Sequence, residues 1–184
     1  MADLARVISN RAVQARQEDS ASKSTSLSIR EMTSTAIEFL DAGRRAEAAA
    51  LFEAAKRVNP QDPSVVNNYG FCILPDRPEE GLREIERAGD LGYPHRGITL
   101  ANRMYGLLRV GRLTSALDAA ERFLAEEQGD EKAYLWDWRR APEDPTALWV
   151  PTRQYITELA LHIAELTDDE AQVKVWAERA AAIE

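Results

Sequence analysis

Residues 36–60 read AIEFLDAGRRAEAAALFEAAKRVNP, two helix-forming runs on either side of Asp41-Ala42-Gly43-Arg44, closed by Asn59-Pro60. A glycine just past a helical run can take the left-handed backbone that ends a helix, and a proline beyond the second run cannot continue it. Leu51, Ala55 and Val58 fall on one stripe of the second run at the helical period. The small residues Ala36 and Ala48 stand where the two helices would touch. This stretch therefore predicts an antiparallel helical hairpin.

The same pattern recurs downstream. Ala36, Gly70 and Met104 lie 34 residues apart, and Ala48, Gly81 and Ala116 follow at 33 and 35. Turns inside the hairpins fall at Pro75-Asp76-Arg77-Pro78 and Val110-Gly111-Arg112, and breakers between them at Asp62-Pro63, Gly92-Tyr93-Pro94 and Gln128-Gly129-Asp130. Leu100, Met104, Leu107 and Leu108 make a one-faced stripe in the third unit. With Phe39, Gly43, Ala48, Phe52, Ala55 and Pro60 in place, the first unit resembles the tetratricopeptide repeat at nearly every signature position. The second unit keeps Asn68-Tyr69-Gly70 and Gly81, Ile85 and Ala88, with a proline-flanked turn for the usual glycine. The third keeps Asn102, Leu107, Gly111, Ala116 and Leu117 but departs at Arg103, where the family has an apolar residue, and at Phe123, where it usually has alanine.

The resemblance implies an all-α fold, a tetratricopeptide-like α-α superhelix with three repeats over 29–62, 63–96 and 97–130. One hairpin cannot cover its own apolar face, so repeats must stack and be capped. Residues 1–28 read as an amphipathic helix, Met1 to Gln17, with a Ser-rich linker from Ser20 to Ser28. Residues 131–184 read as a helical cap. Within it, a short helix over Glu131 to Arg139 is followed by a Trp- and Pro-rich loop through Pro142, Pro145 and Trp149. A degenerate fourth repeat then opens at Pro151, with Ile156, Leu159, Ala160 and Ile163 inward. Thr167 and Glu170 suggest a capping box before its last helix.

Bulk chemistry narrows the function. A net charge of −8 in 184 residues argues against phosphate-backbone binding, so no nucleic-acid partner is expected. No apolar run is long enough to span a membrane. The amino terminus lacks the apolar block of a secretory signal, and Asp3, Glu18 and Asp19 oppose a mitochondrial presequence. A cytoplasmic location is expected, and the excess of Arg over Lys with abundant Ala suggests a GC-rich bacterial source. Cys72 is the single cysteine and reads as a small buried hydrophobe.

His95 and His162 are the only histidines and read as structural residues, and no zinc, phosphate-loop or nucleophile-elbow motif is present. Neither catalysis nor a cofactor or metal is expected. The resemblance instead implies protein binding in a concave groove lined by first helices. Its contacts would be Thr33 and Ile37, then Asn67, Asn68 and Phe71, then Ile98, Asn102, Tyr105 and Arg109, with Arg30, Leu40 and Leu74 beside them. Asn68 and Asn102 stand at equivalent positions and could pair with the backbone of an extended peptide. Members that bind chaperone tails use a cationic clamp for a terminal carboxylate, and the matching positions here are Thr33, Ile37, Ile98 and Asn102. An internal or apolar segment is the expected ligand. Trp136, Trp138 and Trp149 could form a second contact or a buried cap. The leading expectation is an adaptor or scaffold that binds a protein or peptide. The alternative is a bacterial client chaperone similar to the translocator chaperones of type III secretion, with homodimerisation through the amino-terminal segment. A regulatory subunit of an enzyme is the third.

Overall fold

A computed structural model of the chain describes residues 28–126, 131–141 and 143–183. The helix expected over Met1 to Gln17, most of the Ser-rich linker and the Gln128-Gly129-Asp130 breaker lie outside the described residues. The described residues are mostly helical, and from Pro63 onward successive helices pack on one another. They divide into two compact units, Met1–Pro60 and Gln61–Glu184.

The first unit contains helix α1, residues 28–41, and helix α2, Arg45–Val58. Gly43 has φ +72°, as the turn requires. Its N–H donates to the Leu40 carbonyl at 2.9 Å, while the Arg44 N–H reaches back to the Phe39 carbonyl at 2.7 Å. Two backbone bonds of this kind satisfy carbonyls that a helix end leaves open. The Arg44 guanidinium lies 4.1 Å from the Phe39 ring centroid and 3.0 Å from Glu47, whose carboxyl it holds below the usual range. Ala36, Ala48, Phe52 and Ala55 are fully buried. The inward stripe of α2 thus runs through Ala48, Phe52 and Ala55, while Leu51 is half-buried and Val58 exposed.

The second unit begins with helix α3, Pro63–Ile73, and helix α4, Pro78–Asp90. Asp62 caps α3, its carboxylate accepting from the N–H groups of Ser64 and Val65 at 2.9 and 3.1 Å. Helices α5, Arg96–Arg109, and α6, Leu113–Glu126, form the next hairpin, with α5 packed against both α4 and α6. At Gly111 the hairpin turn repeats the two-bond pattern of Gly43, with φ +73°. Close approach of α3 and α4 depends on Gly70 and Gly81. A methyl group on Gly81 would lie 2.7 Å from the Leu74 Cα and 3.1 Å from the Gly70 carbonyl oxygen.

Beyond α6 the chain departs from the helical expectation. The segment read as a short helix and a loop forms a β-hairpin instead, β1 over Lys132–Trp136 and β2 over Ala147–Pro151. Pairing is antiparallel, with Tyr134 opposite Trp149 and Leu135 opposite Leu148. Tyr, Trp and Val favour a pleated, half-buried surface, and Ala133 and Leu135 are buried while Lys132 is exposed. Pro151 accordingly ends β2 and stands just before helix α7, Thr152–Leu166, rather than within its first turn. Ile156, Leu159, Ala160 and Ile163 of α7 are buried as expected.

Helix α8, Glu170–Ala181, is capped by Asp169 rather than by the Thr167/Glu170 box. The Asp169 carboxylate accepts from Ala171 and Gln172 N–H groups at 3.0 and 3.1 Å, while the Thr167 hydroxyl donates backwards to the Ala164 carbonyl at 2.7 Å. Trp176 of α8 is fully buried.

Two glycine substitutions in α4 test this packing with opposite signs. Gly81→Ala forces a methyl onto the Leu74 backbone and is expected to destabilise the second unit by at least about 2 kcal/mol. Gly89→Ala meets only the Thr99 methyl at an ordinary 3.6 Å, and removing the glycine's chain entropy should stabilise by up to about 1 kcal/mol. Urea unfolding followed by tryptophan emission measures both.

Candidate functional site

Proline 75 sets the first constraint on the face formed by α3 and α5. The Phe71 carbonyl would normally accept from the N–H four residues on, but that residue is Pro75, which has none. Trp136 supplies the missing donor from β1. Its indole N–H donates to the Phe71 carbonyl oxygen at 2.9 Å in buried surroundings. The indole also stacks on the Phe71 ring, with centroids 4.6 Å apart and planes 14° from parallel. From α7 the Tyr155 hydroxyl donates to the Trp136 carbonyl at 2.8 Å. Burial, with Tyr105 nearby, pushes the Tyr155 hydroxyl well above its ordinary pKa, so it keeps its proton and remains a donor.

The same arrangement encloses part of the face expected to form a groove in the second unit. Asn67, Phe71, Asn102 and Tyr105 are only 3%, 6%, 2% and 3% exposed. Part of the cause is the hairpin. Trp136 and Tyr134 pack on Phe71, and both β1 and α7 pack against α5. Asn68, Ile98 and Arg109 are half-buried. Arg109 donates to the Tyr105 hydroxyl and the Pro75 carbonyl, each at 3.3 Å. Of the two asparagines at equivalent positions, Asn102 is buried and Asn68 half-buried. The Asn67 amide N–H donates to the Asn68 side-chain oxygen at 3.3 Å, while the Asn67 side-chain oxygen and the Asn102 amide nitrogen have no hydrogen-bond partner. In the first unit Thr33 is half-buried, and Ile37 is 45% exposed on α1.

The second set of candidate residues divides by environment. Trp136 is core, and Trp138 is half-buried and stacks on His162 with ring centroids 4.6 Å apart. Trp149 is 68% exposed on β2. Its ring lies 5.8 Å from that of Tyr134, which in turn lies 6.2 Å from Phe71. A row of aromatic rings thus leads from the core to an exposed indole.

The remaining chemistry-bearing groups are engaged structurally. His95 Nδ1 lies 2.8 Å from Glu131, bracing the base of the hairpin against the start of α5. Burial and the nearby Glu131 charge raise the Tyr93 hydroxyl above its usual pKa. Cys72 is fully buried in α3. Among the described residues no cluster of His, Cys, Asp or Glu is placed to hold a metal ion, and no helix is long and apolar enough to cross a membrane. No protein-family model and no curated protein sequence matches the chain.

Trp136 offers a direct test of the clamp. Trp136→Phe keeps a ring against Phe71 but leaves its carbonyl unpaired, and should cost about 1–3 kcal/mol of unfolding free energy. Trp136→Ala also empties a large volume and should cost about 3–5 kcal/mol. Equal stability of Trp136→Phe and the parent chain in urea unfolding would show that the hydrogen bond contributes nothing net.

Proposed function

We propose that the chain is an interaction module of the tetratricopeptide type that receives a protein partner on the outer aromatic surface of its β-hairpin, with Trp149 as the anchor. The carrying observation is the exposure of that indole, 68% accessible beside Tyr134 while the other hairpin aromatic, Trp136, is buried. Tryptophan is among the residues that contribute most to protein interfaces, because it buries a large area at little rotamer entropy. The hairpin is anchored by the Trp136 bond and stack, so Trp149 is presented from a braced strand. Preorganisation of this kind lowers the entropy lost on binding.

Support for the repeat reading comes from the helical hairpins, two of which, the first and the third, turn at glycines with positive φ, Gly43 and Gly111. Burial of Asn67, Phe71, Asn102 and Tyr105 moves the proposed contact from the inner groove to the hairpin. The module acts by holding its partner, with no catalytic step assigned to it.

Purification of the natural complex by an affinity tag, with mass spectrometry of the bound chain, supplies the partner for a quantitative test. Trp149→Ala should then weaken binding at least thirtyfold, equivalent to about 2 kcal/mol, and leave the unfolding midpoint near that of the parent. Should Asn68→Ala abolish binding while Trp149→Ala leaves it intact, the contact lies at the inner face and the hairpin assignment is wrong.

A further inference from the structure

Two backbone bonds just beyond the strands fix which groups of the β-hairpin face each other. The Asp137 N–H donates to the Thr146 carbonyl at 2.7 Å, and the Thr152 N–H to the Glu131 carbonyl at 2.8 Å. Both pairs continue the register that sets Ala133 opposite Val150 and Leu135 opposite Leu148. Bonded and unbonded pairs alternate along an antiparallel ladder, so those two pairs bond across the hairpin. Tyr134 with Trp149 and Trp136 with Ala147 are the pairs between them, and these turn their N–H and C=O groups away from each other. On the β1 side the Trp136 carbonyl follows this rule, facing outward to accept from the Tyr155 hydroxyl.

On the β2 side, Ala147 and Trp149 therefore present N–H and C=O groups along an outer edge, and neither residue has a further hydrogen bond among the described residues. The main packing partners of β2 are β1 and α7, the helix that continues from it. An edge of this kind is a template for another strand. The exposed Trp149 ring beside it can contact an apolar side chain of an incoming strand. Charge selects the occupant. Glu143 and Asp144 are exposed at the turn leading into β2 and outweigh Arg140 there, because Arg139 is paired with Asp137 and Glu158. With a net charge of −8 on each chain, a second copy is repelled and a cationic segment attracted.

We infer that the outer edge of β2 takes up an extended segment of a partner polypeptide bearing lysine or arginine, which adds a third strand through main-chain hydrogen bonds to Ala147 and Trp149. Strand addition rests on the reading of Trp149 as the anchor of a protein contact, and it sets the partner's conformation and charge.

Calorimetric titration of the full chain with an acetylated, amidated peptide of alternating lysine and valine should give saturable binding with Kd below about 1 mM. The same peptide N-methylated on two adjacent central residues, which blocks both of its edges, should bind at least about tenfold more weakly, as should its glutamate-valine counterpart. Ala147→Pro removes only an outward donor, so it should weaken the lysine peptide at least about tenfold and keep the urea midpoint of the parent, whereas Leu148→Pro removes a ladder donor and should lower that midpoint. By amide exchange, Ala147 and Trp149 should exchange faster than Leu148 and Val150 in the free chain and become protected on saturation with the peptide. Absence of saturable binding, or undiminished binding of the N-methylated or glutamate peptide, would overturn the proposal. Protection of the Ala147 and Trp149 amides in the free chain would do the same, by showing the edge already filled by the chain itself or, where sedimentation finds a dimer, by a second copy. Loss of binding in Trp149→Ala with none in Ala147→Pro would overturn strand addition and leave Trp149 as an anchor.

Discussion

A single buried hydrogen bond, from the Trp136 indole to the Phe71 carbonyl, reconciles three elements that would otherwise conflict. Pro75 ends α3 but leaves a carbonyl with no donor of its own, and an unpaired buried polar group is costly. The donor comes from a strand more than sixty residues later, so the end of α3 is completed only when the hairpin docks. Tyr155 then ties that strand to α7 through the Trp136 carbonyl. Helix, strand and helix are thereby joined by two directional bonds. Specific register at this point decides which residues of the unit face outward.

The helical part of the chain was readable because its determinants are local. A glycine at 43 or 111 announces a left-handed turn, and Gly70 with Gly81 announces a close crossing. Both inferences need only spacing along the chain. The strands were not readable by the same means, since a five-residue run such as KAYLW has no length over which helical and extended periods differ. A warning was nevertheless present. A connection from Arg139 to Pro151 exceeds the usual link between helices, which is evidence against flanking it with helices. Asp169 took the cap assigned to Thr167 because its carboxylate accepts two N–H bonds, while the Thr167 hydroxyl is spent on the Ala164 carbonyl.

Site residues were less legible than the fold, for a related reason. Equivalence between repeats assigned Asn102 and Tyr105 to an open face, but whether a face is open depends on what the rest of the chain places upon it. Tyr134, Trp136 and Tyr155 lie far from α5 in sequence, and no periodicity links them to it. Arg103 and Phe123 show the converse. Each stood out as an irregularity, yet only the packing of α5 against α6 reveals that both irregularities border the same space.

Cys72 follows Phe71 directly and is wholly enclosed, the lone thiol of the chain. An alkylating reagent can reach its sulfur only after α3 is uncovered, so the rate of modification counts those excursions. Native-state opening in the unit Gln61–Glu184 can therefore be clocked chemically, without any introduced label.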